Sequence, residues 1–241
     1  MKPIPTNETH IPNYRVCRCS CPIKIDGHLD KSDWTTADPI PFTKFEHQPE
    51  DSKPLRQNTE VKALWDDQNL YLAFRVQDCE VWASMRNHDA RLFLEECVEI
   101  FVDPDGDGRK YVELQINSLG TVRDLLIDGD VENPTYAQYD TMARWHFANL
   151  KKAVHIYRDN LGNDTGWTLE MAIPWCEFAF SYRQWPPTAG NILRVNFYRF
   201  ERSRTGKLPL ELSGWSKVRG SFHQPRRFGI FVFSSFTTSS R

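Results

Sequence analysis

Charge of either sign in excess is the first thing missing from this chain. Lys and Arg number 30 against 32 Asp and Glu, a formal net charge of −2 over 241 residues. No global basic field exists to collect nucleic acid or an anionic lipid surface. The basic pairs Lys151-Lys152 and Arg226-Arg227 are short and read as solvated surface. No apolar run of about 18 residues occurs, so no membrane-spanning helix is expected. The opening MKPIPTNETHIPNY has no apolar core of a secretory leader. The expected setting is therefore intracellular, or outside the cell if a leader has been removed, and the compartment stays open. Long segments of 3.6 periodicity are scarce, and no internal repeat or composition break divides the chain. Methionine is rare, at four residues. Met85 with His88 is the only close Met/His pair, too local to grip a haem from both sides. Six cysteines are present. The C-x-C-x-C run of Cys17, Cys19 and Cys21 has no second ligand pair after it, which a zinc site ordinarily needs. These are expected to be buried or free thiols, with Cys97 and Cys176 in the core.

Aromatic residues are plentiful: eight Trp, eight Tyr and fifteen Phe. The segment CVEIFVDPDGDGRKYVELQIN, Cys97 to Asn117, reads as two strands around an acidic, glycine-bearing turn. Val98, Ile100 and Val102 point one way, Glu99 and Phe101 the other. On the return strand Val112, Leu114 and Ile116 oppose Tyr111, Glu113, Gln115 and Asn117. Period two places alternate side chains on opposite faces of a sheet. One face is core; the other carries carboxylate, amide, phenyl and phenol groups, a mixture that suits the hydroxyls and C–H faces of sugars. Further hairpins are expected at 59–76 and 153–173, with strands at 121–127, 192–200 and 229–233 and a helical turn within 175–180. Residues 128–149 look irregular. Many short strands with regular turn signals predict an all-β, antiparallel β-sandwich, jelly-roll-like, in a single domain. Its expected limits are 23–233, with an extended arm over 1–22 and a disordered tail over 234–241.

A series of motifs then falls in a familiar order. Ile25-Asp26-Gly27-His28-Leu29-Asp30 with Trp34 comes first, then Leu64-Trp65-Asp66-Asp67 with Leu70-Tyr71. Val98-Glu99-Ile100-Phe101-Val102-Asp103 follows, then Gln115-Ile116-Asn117 with Gly120, and Glu170-Met171-Ala172-Ile173-Pro174-Trp175. Arg194-Val195-Asn196, Trp215-Ser216, Phe222-His223-Gln224-Pro225 and Phe228-Gly229 complete it. Together they resemble carbohydrate-binding module family 9 and its family 9-like relatives from Ile25 to Phe233. The resemblance implies a non-catalytic, lectin-like β-sandwich that binds a mono- or oligosaccharide, serves polysaccharide catabolism and carries calcium. It implies an aromatic clamp at Phe93 and Phe222, where better-known members have Trp, and a hydroxyl-binding acid at Glu99. Gln115 stands where those members have a basic residue.

Read from their own chemistry, Glu99 supplies two acceptors and Gln115 a donor and an acceptor. In even register their Cβ atoms stand about 5 Å apart. Asn117, Trp215 and His223 join Phe93, Glu99, Gln115 and Phe222 as candidate sugar contacts. Glu99 paired with an Arg on a solvated face is the plainer alternative. Asp103, Asp105 and Asp107 place oxygens at alternate positions of a turn, as a calcium loop does, or form a plain acidic turn. An EF-hand is excluded, because loop position 12 is Leu114. Arg194, Asn196 and Arg199 are expected to be structural, with Arg194 a possible partner of Glu99 or Glu170. Trp34, Trp65, Trp167 and Trp175 read as core. No organic cofactor is expected. Two other functions compete: a glycoside hydrolase or other carbohydrate-active enzyme using Glu99 and Glu113 as paired carboxylates, and an interaction module whose sugar site has decayed. Against the hydrolase stands the expectation of an open sheet face with no deep cleft.

Overall fold

Period-two alternation recurs from one end of the chain to the other, and it builds a curled mixed sheet. The computed structural model describes residues 11–45, 54–129 and 135–237. Their strands are β1 (Asn13–Arg18), β2 (Ile40–Pro41), β3 (Thr43–Lys44), β4 (Thr59–Trp65), β5 (Asn69–Gln77), β6 (Cys97–Asp103), β7 (Lys110–Ile116), β8 (Val122–Asp128), β9 (Lys151–Arg158), β10 (Asp164–Pro174), β11 (Ile192–Glu201), β12 (Glu211–Gly214) and β13 (Gly229–Thr237). Two short helices, α1 (Ser32–Thr36) and α2 (Tyr136–Met142), lie between them. No helix among the described residues is long and apolar enough to cross a membrane.

The main path runs β8-β7-β6-β11-β13-β1-β4-β5-β10-β9. Its ladders are antiparallel except where β1 pairs in parallel with β13 on one side and β4 on the other. Strand β1 thus joins two halves whose inner faces close on one core. Val98, Ile100, Val102, Val112, Leu114 and Ile116 from one half meet Val61, Leu72, Phe74, Leu169 and Met171 from the other. Burying an aliphatic side chain of this size stabilises the fold by about 1.5–3 kcal/mol, so the alternation dictates the register.

Each half also buries part of its outer face. On the β4-β5-β10 half, Trp34 and Ala37 of the α1 segment cover Leu64, Tyr71, Ala73 and Ala172. On the β6-β7-β8-β11 half, Phe101, Tyr111, Leu125, Ile127 and Tyr198 pack with Ala143, Val218 and Phe228.

The expected fold class and hairpins are present, and four local expectations change. The stretch Asn13–Arg18 of the expected arm is a strand inside the sheet, with Val16 fully buried; residues 1–10 lie outside the described residues. Strand β13 continues beyond Phe233 to Thr237, which pairs with Arg18, so the expected tail begins ordered; residues 238–241 lie outside the described residues. Within 128–149, Thr135 caps α2: its side chain accepts from the Gln138 amide, while the Gln138 side chain accepts from the Thr135 amide. Cys97 is buried as expected, whereas Cys176 is exposed.

Candidate functional site

The hairpin register brings the outward polar residues into transverse rows. Glu99 pairs with Tyr198 on one side and Gln115 on the other, and Gln115 pairs with Arg123. The next row is Asn196, Phe101, Glu113 and Leu125. Paired residues stand about 5 Å apart across strands. The side chains of Glu99, Gln115 and Glu113 therefore form one polar patch.

This patch is not the open sheet face the sequence suggested. Glu99 is 2% exposed, and Gln115 and Glu113 are 1% exposed. They are the floor of a cavity of about 270 Å³. Aromatic rings make its walls. Phe93, in the turn Leu92–Leu94 ahead of β6, lies 6.0 Å from Tyr136 and from Tyr139, both on α2. Phe200 bridges from Phe93 (6.4 Å) to Phe222 (5.5 Å). Phe222 lies flat on Tyr198 at 3.9 Å and 3° and meets Phe45 edge-on at 5.0 Å. Phe93 and Phe222 are both only half-buried, and both line the cavity.

The floor is electrostatically unfinished. Gln115 Nε2 donates to Glu113 Oε1 at 2.6 Å, but Gln115 Oε1 and Glu113 Oε2 have no hydrogen-bond partner. Burial and the neighbouring Glu113 push the Glu99 carboxyl well above the usual carboxylate range. Burial pushes Glu113 up to about 7, against the lowering effect of Gln115 and Arg123. His223 closes one side. Its Nδ1 shares a hydrogen bond of 2.9 Å with the Tyr111 hydroxyl, and its Nε2 bonds the Tyr139 hydroxyl. Burial lowers its pKa to about 4, so at neutral pH it brings no charge. Among the described residues, no Lys or Arg lines the cavity. Such a site offers carboxyl and amide groups to hydroxyls below and ring faces to C–H groups at the sides.

The family model "Carbohydrate family 9 binding domain-like" matches residues 25–235. The chain belongs to that family. Solved structures agree in fold. A proposed carbohydrate-binding protein from Bacteroides uniformis ATCC 8492 superposes with a TM-score of 0.69 at 20% identity, covering 93% of this chain and 100% of that one. A family 9 module from Caldicellulosiruptor kristjanssonii in complex with cellotriose gives 0.65 at 16% identity, over 95% and 97% of the two chains. A structure of a family 9 module from the same organism in complex with glucose gives 0.62 at 16%, over 92% and 96%. A search of curated protein sequences gave no match.

Within this family 9 module, five of the seven residues expected to touch sugar converge on the cavity: Phe93, Glu99, Gln115, Phe222 and His223. Two do not. Asn117 is buried beyond the end of β7, where Oδ1 accepts the amides of Leu119 and Thr121 and Nδ2 donates to the Met85 carbonyl; it organises a turn. Trp215 packs on Phe197 and Phe231 in the inner core. Its ring lies over Gly229, where an added Cβ would come within 2.3 Å. Arg194 is not the partner of either glutamate: its Nη1 donates to the carbonyls of Arg226 and Phe228.

Phe45, Phe101, Tyr139, Phe200 and Leu212 also line the cavity. Phe200 had a sequence signal, since it continues the outward parity of Asn196 and Tyr198 on β11. Phe45 and Tyr139 come from segments with no periodicity to reveal them.

The acids of the turn at Asp103, Asp105 and Asp107 are engaged by backbone amides. Both oxygens of Asp103 accept backbone amides, from Gly106 at 2.8 Å and Gly108 at 2.9 Å. Asp107 accepts from the Arg109 amide and Asp105 from the Tyr182 amide. Gly106 and Gly108 have φ of +72° and +76°, a conformation glycine adopts without strain. Elsewhere Asp78, Glu96 and Glu201, all buried, bring carboxylate oxygens within 4.8 Å of one another. Asp78 Oδ2 and Glu96 Oε2 have no hydrogen-bond partner there. Arg199 contacts Asp78 at 3.5 Å and also Glu201, so the chain meets part of that charge itself.

Proposed function

We propose that the cavity binds the end of a neutral oligosaccharide, one or two sugar units deep, without turning it over. The volume falls just below the roughly 300–1,000 Å³ of small-molecule pockets, which suits a chain end rather than a strand interior. Phe93 and Phe222 cover the C–H faces of the ring. Glu99, Glu113 and Gln115 take hydroxyl donors and acceptors at the floor. The observation carrying the reading is the set of unpartnered polar atoms on that floor. A buried polar atom without a partner costs about 1–3 kcal/mol, and a sugar hydroxyl supplies what the fold omits. Membership of a carbohydrate-binding family and the cellotriose and glucose complexes of its structural neighbours point the same way.

Calorimetric titration with glucose, xylose, cellobiose and cellotriose tests this. Saturable one-to-one binding of at least one sugar is expected, and silence toward all four at millimolar concentration rejects it. A hydrolase reading has one supporting observation, the two glutamates with raised pKa in one cavity. Incubation with cellotriose separates the two: an unchanged sugar is expected, and products that vanish in Glu99→Gln would establish an enzyme.

A further inference from the structure

Beside α2, away from the sugar cavity, four metal-ligating side chains converge from three separate segments. His88 and Asp89 come from the loop ahead of β6, Asp124 from β8, and His146 from the segment after α2. One ligand atom from each lies within 4.8 Å of all the others. His88 Nδ1 is 3.1 Å from Asp89 Oδ1, His88 Nε2 is 3.4 Å from Asp124 Oδ1, and His146 Nδ1 is 3.3 Å from the same oxygen.

We propose that these four residues form a binding site for a divalent transition ion of the zinc, cobalt or nickel type. Ligands about 2.0–2.2 Å from a tetrahedral zinc stand about 3.3–3.5 Å apart, the spacing of His88 Nε2 and His146 Nδ1 from Asp124 Oδ1; His88 gives an ion one ring nitrogen, so its Nδ1 approach to Asp89 is not a second ligand spacing. Two neutral imidazoles and two carboxylates balance a dication. Imidazole nitrogen selects this class of ion over calcium or magnesium. The contacts themselves also indicate a missing centre. Only the His146–Asp124 approach has hydrogen-bond geometry, and Asp89 Oδ1 is a buried oxygen with no hydrogen-bond partner.

The scaffold holds the cluster firmly. Asp124 is 1% exposed and its Oδ2 accepts the Phe147 amide at 2.7 Å. Asp89 has φ of +63°, uncommon for a residue with a Cβ. It is pinned by its own amide on the Val122 carbonyl and by Arg123 donating to its carbonyl. A cavity of about 440 Å³, lined by Asp89, Arg123, Asp140 and His146 among others, gives an ion access. A bound ion would tie the 88–89 loop and β8 to the segment that follows α2. That helix carries Tyr139 of the sugar cavity, so the site would brace one wall of it.

Cobalt titration of the full chain tests the proposal. One equivalent is expected to bind with visible d–d bands and no thiolate charge-transfer band. A His88→Ala/His146→Ala variant should bind at least about tenfold more weakly, while Cys17→Ser/Cys21→Ser binds as the original does. Both histidines are about half exposed, so the double variant should melt like the original in chelator. If it fails to fold, zinc titration of the original chain by histidine NMR decides: His88 and His146 should shift first among the seven. A thiolate band, uptake that survives loss of both histidines, shifts centred on the adjacent His28 and His155, or no saturable uptake would each overturn it.

Discussion

Glu170 and Glu99 stand on the outer faces of opposite halves of one curled sheet, both buried, and only one of them has partners. Glu170, on β10, accepts the amides of Asp26 and Gly27 at 2.8 and 3.0 Å, the Lys31 ammonium at 2.8 Å and the Trp34 indole N–H at 2.8 Å. The segment after β1 and α1 folds over that half and saturates the carboxylate. The Glu99 side chain, on β6, makes no hydrogen bond among the described residues; it faces a cavity and a second carboxyl instead. A buried acid with its donors in place holds a fold together as a charge, whereas one without them is pushed toward its neutral form and leaves its oxygens unpaired. The difference separates a structural acid from one arranged for a ligand.

The strongest way to break this contrast is to remove each acid in turn. Glu170→Gln should cost about 1–3 kcal/mol of stability, since one amide oxygen cannot serve the donors of Asp26, Gly27, Lys31 and Trp34 together, read by denaturant unfolding. Glu99→Gln should leave stability unchanged or improve it. Sugar affinity should respond oppositely: Glu99→Gln loses about 1 kcal/mol of binding, the worth of a hydrogen bond between neutral groups, or roughly fivefold by calorimetry. A chain destabilised by Glu99→Gln as much as by Glu170→Gln would erase the distinction.

The walls come next. Phe222→Ala and Phe93→Ala should each weaken sugar binding by about 1–2 kcal/mol, with Phe222→Trp strengthening it through a larger face. The inner-core Trp215→Phe should lower the melting temperature and leave the affinity of the folded fraction unchanged.

Stability against pH sharpens the contrast at smaller amplitude. Glu113 is raised to about 7, so its contribution is full below the unfolded value near 4.5 and falls as pH rises to about 7. His223 is lowered to about 4, so its contribution rises between about pH 4 and 6.5. The two oppose each other up to about pH 6.5, and above it the raised carboxyls prevail. Thermal melts should therefore show stability falling from pH 6.5 to 8. Glu113→Gln should flatten that fall.

The smallest effect belongs to a turn. Asn117→Ala should cost about 1 kcal/mol of stability and leave the sugar affinity of the folded protein intact.

Much of this was legible in the residues because period two is local information. Val98 to Val102 and Val112 to Ile116 reveal both the hairpin and its buried face, and register then sets Glu99 opposite Gln115 without further assumption. Strand β1 was not legible, because its pairing is with β13 and β4, partners far apart in the chain, and nothing within NYRVCR records them. The depth of the site was hidden for the same reason. Phe45, Tyr139 and Phe222 arrive from three distant segments to wall in what alternation alone describes as an open face. Trp215 misled because a loop tryptophan beside glycine reads as exposed; Gly229 leaves room for its ring in the inner core.

The most direct test of the central claim is a crystal structure of the chain with cellobiose. A sugar ring should lie in the cavity with its C–H faces on Phe93 and Phe222 and its hydroxyls on Glu99, Glu113 and Gln115. Cellobiose bound elsewhere while this cavity holds only water would contradict the account.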